Sequence, residues 1–285
     1  MSSRILWDMN RLPMRSTEQL SVAQEKSKNL KGREMEEYCK GIGLLSPLVG
    51  DLIPRSSILF RFSSFPIDLM HLLFENIAPH MVSIWCGDVK GCEDPEDMGS
   101  VKANAEVGNR LLSAGKGFSS KIWRPRRIDE RKKWKTTEWK SFVQEVSLLV
   151  LVGIIPKKAM DGWKTFVHLC ELLCRWSVTR SDMDHIYRLS RKFFQHFNDT
   201  YYQNDYGKVN VCWYLYHLLL HVSDSIQDCS PLSLVSQWAV ENYVGAHNHN
   251  CNGTNLFAES VEKGKRFYDS SILYAMRTEV HMPLL

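Results

Sequence analysis

The chain has 285 residues, 36 Lys and Arg against 32 Asp and Glu, 44% hydrophobic and 11% aromatic residues, and nine Trp. That is enough for one large domain or two smaller ones, and the aromatic content excludes a disordered chain. No window approaches about eighteen uninterrupted apolar residues, which excludes a helical membrane span, and the stretch from Met1 to Asp8 lacks the apolar core of a signal peptide.

Ser16 to Cys39 is polar and charged and reads as an exposed helix, with Ser16 and Gln19 as a capping box and Gly41 as its end. Gly43, Pro47, Gly50 and Pro54 then punctuate a turn-rich stretch. The apolar, aromatic run from Ile58 to Phe65 reads as a strand, and Leu69 to Met81 as a helix leaving it. Asp68 falls at the strand-to-helix turn, where an N-cap carboxylate is favoured, and His71 follows on the same side of the first helical turn. Open α/β sheets present their chemistry at such turns. Two readings stand side by side: a cap with a packed imidazole, or a functional pair. Gly87 to Gly99 is an acidic loop, and a helix from about Met98 to Ser113 ends at Gly115-Lys116-Gly117.

Helical periodicity dominates the rest. Thr136 to Val152 carries Trp139, Phe142, Val143 and Val146 on one side, under a Ser/Thr-type cap. Lys157 to Trp176 follows Pro156 and carries Met160, Trp163, Phe166, Val167, Cys170 and Leu173. Thr179 caps a helix running to Tyr202, with Ile186, Leu189, Phe193, Phe194 and Phe197 inward. Val209 to Ile226 reads as an apolar helix bearing His217 and His221, and Leu232 to Tyr243 as a helix bearing Glu241. Asn255 to Leu285 reads as a peripheral helix and tail. The stripes are core faces, and the helices from Thr136 to Ile226 are expected to pack into one bundle.

The eight Cys are expected as reduced thiols of an intracellular protein, nuclear or cytoplasmic. Cys86 and Cys92 flank a loop, and Cys170 and Cys174 share a helix face; neither pair has the short knuckle of a structural zinc site. Cys170 and Cys174 read as small apolar packing groups. His247, His249 and Cys251 alternate in a Gly/Asn-rich loop and read as adventitious clustering. Lys121 to Lys140 is a basic window of net charge +6, interleaved with Trp123, Trp134 and Trp139. Arg124, Arg126, Arg127, Lys132 and Lys133 are its candidate DNA-binding residues, since cations neutralise phosphates and indoles stack on bases. The other reading is a solvated segment whose tryptophans anchor it to the core.

Several of these segments, in order, carry a resemblance. They are Gly41-Ile42-Gly43-Leu44-Leu45-Ser46-Pro47-Leu48, Phe65-Pro66-Ile67-Asp68-Leu69-Met70-His71, Trp134-Lys135-Thr136-Thr137-Glu138-Trp139, His217-Leu218-Leu219-Leu220-His221 with Asp224-Ser225, and Val240-Glu241-Asn242-Tyr243-Val244-Gly245. Together they resemble the C-terminal part of CACTA-type (En/Spm-like) DDE transposases of the fungal and animal branch, over roughly residues 35–255. The resemblance implies a mainly α (α+β) chain: the end of an RNase H-like core with a large helical insertion and few strands. Residues 1–95 would hold a polar helix and the strand–helix remnant with Asp68 and His71, 96–230 the insertion, and 231–285 the Glu-bearing helix and tail.

Such transposases cleave and transfer DNA strands with two divalent ions, Mg²⁺, held by two Asp and one Glu. By position Glu241 matches the last acidic residue, and Asp68 and His71 the accessory pair; Glu241 and Asp68 are the candidate metal ligands. The two catalytic Asp and a Cys-x2-Cys pair of the family would lie upstream of Met1. The implied reading is a truncated, transposon-derived protein without independent catalysis, with DNA and a full-length transposase as partners, and no membrane or small-molecule substrate. The alternative is a non-catalytic helical module that binds nucleic acid or protein. Asn242, where many relatives carry Arg, the segment Ser233 to Ala239, and the aromatic Trp213, Tyr214 and Tyr216 depart from the pattern, which suits a decaying or domesticated element.

Overall fold

The computed structural model describes residues 16–27, 29–41, 64–92, 105–117, 126–238 and 241, which are mainly helical and include no strand. The chain divides into two compact units, Met1–Val235 and Ser236–Leu285. Among the described residues no helix is long and apolar enough to cross a membrane.

Two short polar helices open the first unit, α1 (Thr17–Ser27) and α2 (Gly32–Gly41). The capping box forms as read: Ser16 N–H donates to Gln19 Oε1 at 2.9 Å, and Gln19 N–H to Ser16 Oγ at 3.2 Å. The single helix expected over Ser16 to Cys39 is broken, and Gly32 at φ +54° begins its second half.

The strand expected over Ile58 to Phe65 lies outside the described residues except for Ser64 and Phe65, which form a turn. Helix α3 follows, as a π-helix over Met70–Ile77 and an α-helix over Ala78–Trp85. Pro79 gives a reason for the wide first half. It has no N–H and its ring would clash with a carbonyl one α-turn back; an i→i−5 turn relieves that clash. Ala78 N–H accordingly donates to Leu73 O, and Asn76 Nδ2 donates to His71 O at 2.6 Å.

Helix α4 (Ala105–Lys116) lies against the helical segment Ser147–Leu151, where Arg110 Nη1 donates to Val152 O at 2.6 Å and caps the open carbonyls. A 3-10 turn (Ile128–Lys133) leads into α5, which is α-helical over Thr136–Ser141, π over Phe142–Val146 and α again over Ser147–Leu151. Its start is closed by Glu138, whose Oε2 accepts Lys135 N–H at 2.7 Å, instead of by the Ser/Thr cap expected there. Helices α6 (Lys157–Leu173) and α7 (Arg180–Phe197, continuing as π over Asn198–Tyr202) form the longest pair. Thr179 caps α7 as read, its Oγ1 accepting Asp182 N–H at 3.1 Å.

The apolar stretch expected as one helix over Val209 to Ile226 is instead a 3-10 turn (Tyr206–Val211), an extended Cys212 and Trp213, and α8. Helix α8 is α-helical over Tyr214–Leu218, 3-10 over Leu219–His221, and α-helical over Val222–Asp228. Leu232 to Val235, read as helix, is a run of turns.

Helices α3, α5, α6, α7 and α8 pack round one aromatic core, the bundle expected from the stripes. Trp85 meets Trp163 edge-on at 5.1 Å, Phe166 bridges Trp163 and Phe193, and Tyr216 stacks on Phe197 at 3.9 Å. Two of the buried indole donors are satisfied, while Trp134 Nε1 has no hydrogen-bond partner among the described residues. Trp85 Nε1 donates to Tyr201 Oη at 3.0 Å, and Trp163 Nε1 to Ser147 Oγ at 2.9 Å. The close approach of α6 to α7 depends on Gly162, where a Cβ would stand 2.0 Å from the His196 ring.

Candidate functional site

Asp68 caps α3. Its Oδ2 accepts the His71 N–H at 2.9 Å, and its backbone carbonyl accepts Leu72 N–H at 3.0 Å. The same Oδ2 stands 2.5 Å from His71 Nδ1. The cap and the Asp–His pair are thus one structure, and the two readings of the sequence do not exclude each other. The other face of the imidazole looks along the helix, with Nε2 3.5 Å from Glu75 Oε2. A carboxylate on Nδ1 selects the tautomer with its proton there and leaves Nε2 to take or give a proton. When His71 is protonated, both of its N–H groups face carboxylates. The arrangement sets one imidazole between two carboxylates in a half-exposed position, a geometry that suits general acid–base chemistry.

Two distant segments close on this turn. Ser225, in the last part of α8, accepts Ile67 N–H through Oγ at 3.0 Å. Thr136, at the start of α5, donates its hydroxyl to Glu75 Oε1. Glu75 and Thr136 were not singled out by sequence reasoning. The i,i+4 spacing of His71 and Glu75 was a usable signal, whereas the Thr136 contact spans 61 residues and had none.

Above Ser225 on α8, His217 and His221 face each other with Nε2 atoms 3.0 Å apart, and His221 Nδ1 lies 3.7 Å from Asp224 Oδ2. Burial pushes the His217 imidazole down to about 4, with a smaller push from His221. Burial likewise lowers His221, Asp224 pulling the other way.

Three cations of the basic window, Arg126, Arg127 and Arg131, are engaged within the molecule. Arg126 grips Glu138 at 2.5 and 2.8 Å and also donates to Lys133 O. The Arg126 contact holds the Glu138 carboxyl below its ordinary value against the opposing effect of burial. Arg127 pairs with Asp129 at 3.2 Å, and Arg131 is buried against Asp88. Trp134 and Trp139, 8% and 4% exposed, pack with Phe142. They anchor the window to the core and present no face on which a base could stack. Lys132 and Lys133 are exposed. Arg124 and Trp123 lie outside the described residues, as do His247, His249 and Cys251.

Cys170 is fully buried, and burial raises its thiol well above the ordinary value, as suits a packing group. Glu241 belongs to the second unit, where it is exposed and its N–H donates to Gln237 O at 2.8 Å. Among the described residues no three His, Cys, Asp or Glu gather round one metal position. At the Asp68 turn the inner oxygen is committed to an imidazole, a donor set that does not fit Mg²⁺, which takes hard oxygen ligands.

No protein family, curated protein or solved structure matches this chain.

Proposed function

We propose that the chain is transposon-derived and corresponds to the C-terminal part of a CACTA-type DDE transposase, the end of its RNase H-like core with the helical insertion, acting without DNA cleavage of its own. The observation that carries this reading is a convergence. The Asp68–His71 turn, the Trp134–Trp139 segment through Thr136, and the His217–His221 helix through Ser225 are separate motifs of the resemblance; Ser225 bonds the turn at Ile67, and Thr136 bonds Glu75 one helical turn beyond His71, so all three meet along the first part of α3.

On this reading the helical segment is an excursion that interrupts the RNase H-like core.

The reading also predicts the activity. Two-ion phosphoryl chemistry needs hard oxygen ligands flanking both ions. This chain offers Glu241 and Asp68, with His71 beside the latter as a poor substitute for a carboxylate. Purified protein in Mg²⁺ or Mn²⁺ is expected to leave DNA uncut, alongside a Glu241→Gln control. Cleavage by the unaltered chain that Glu241→Gln abolishes would make the protein a working enzyme.

A further inference from the structure

Helix α8 does not run evenly through its two histidines. It tightens to a 3-10 turn over Leu219–His221 and then resumes as α-helix. A 3-10 stretch inside a helix often marks strain or a functional position. His221 itself sits at φ −102°, ψ −1°, in the sparsely populated bridge region where many active-site residues are found.

The result is that the two Nε2 atoms, one turn apart in sequence, converge to 3.0 Å with their rings 80° apart. Two neutral imidazoles can share one hydrogen bond this way. The same arrangement is what two histidines on one helix present to a tetrahedral ion: nitrogens about 2.0–2.1 Å from the metal stand roughly 3.3 Å from each other. The outer nitrogen of His221 supports the second reading. Its Nδ1 lies 3.7 Å from Asp224 Oδ2, an ion-pair distance from which a small closure would make the hydrogen bond that keeps the proton on Nδ1 and turns the Nε2 lone pair toward a metal.

We propose that His217 and His221 form a two-histidine site for a borderline divalent metal of the zinc class, with Asp224 orienting His221 and water completing the coordination. The site is distinct from the carboxylate site that the transposase reading implies, and does not rest on that reading. Imidazole nitrogen suits Zn²⁺ and not Mg²⁺. Arg191 on α7 opposes a cation at His221, and Asp224 offsets it. His217 is 7% exposed and the His221 side chain 14%, so the ion enters from the His221 side.

The test is zinc titration of the metal-free full chain, followed by the imidazole ¹⁵N resonances. One equivalent of Zn²⁺ is expected to shift the Nε2 resonances of His217 and His221 while their Nδ1 protons remain, and excess Mg²⁺ should not reverse it. His221→Ala should abolish that equivalent. Asp224→Asn, at an exposed position that leaves the fold intact, should weaken it about 10–100-fold, the usual effect of losing a carboxylate behind a histidine ligand. Unmoved His217 and His221 resonances would overturn the site, whether zinc fails to bind or binds through thiolates, as a sulfur charge-transfer band with Co²⁺ would reveal. Wild-type affinity in His221→Ala would overturn it equally, leaving the pair as a hydrogen bond.

Discussion

Replacing Asp88 with alanine is expected to destabilise the first unit by about 3–5 kcal/mol, because it strands a buried guanidinium. In a unit of this size that is a fall in melting temperature on the order of 10 °C. Arg131 is 4% exposed, donates through Nη2 to Asp88 and through Nη1 to Ile128 O at 3.3 Å, and its Nε has no hydrogen-bond partner among the described residues. The pair fastens the 3-10 turn Ile128–Lys133 to the loop that follows α3, across 43 residues of sequence. Asp88 is the counter-charge, so its loss leaves a cation in a site that water scarcely reaches. Converting Arg131 to methionine in the same chain should restore most of the stability, because an apolar side chain of similar volume does not need the carboxylate. Thermal or urea unfolding of the two variants beside the parent measures both effects. A loss below about 1 kcal/mol in Asp88→Ala would mean that solvent screens the pair as it does at a surface, and that Trp134 alone holds the turn.

The same ion pair shows where the sequence stops being informative. The basic window was visible as nine cations, but their partners were not. Glu138 lies within the window, and its position relative to Arg126 could have been weighed; Asp88 lies far upstream and carries no local mark. Features fixed within a few residues were legible: the Ser16–Gln19 and Thr179–Asp182 caps, the inward stripes of α6 and α7, and the Asp68 cap with His71 beside it. Apolar periodicity misled where local polar groups compete with it. From Val209 the pattern suggested a continuous helix, but Asp205 Oδ1 accepts Gly207 N–H at 2.8 Å, turning the chain into a 3-10 turn, and Trp213 is extended before α8 begins. The neighbours of the Asp68 turn were hidden for a further reason. Ile67 and Ser225 are 158 residues apart, and only the packing of α8 against α3 brings them together.

His80, in the interior of that packing, is expected to make the fold acid-sensitive. It is 3% exposed, stacks on Trp213 at 3.9 Å, and its Nδ1 lies 2.8 Å from Tyr216 Oη. Burial raises Tyr216 well above the ordinary phenol value, so the hydroxyl keeps its proton and shares one hydrogen bond with Nδ1. The imidazole is neutral because burial penalises its charged form, pushing it from 6.5 down to about 4. Between those two values the unfolded chain binds a proton that the folded chain refuses. Stability is then fully present above about pH 6.5 and falls as the pH drops toward 4. The difference corresponds to about 3 kcal/mol from this residue. His217, depressed in the same direction by its own burial, adds a smaller share because it is nearer to solvent. Unfolding free energies measured in urea at pH 7.5 and pH 4.5 should differ accordingly, and His80→Phe, which cannot bind a proton, should flatten much of the dependence even if it lowers stability at neutral pH. An unchanged slope in His80→Phe, or an NMR titration that protonates His80 near pH 6.5 in the folded state, would show that water reaches the ring and that α3 and α8 do not close over it.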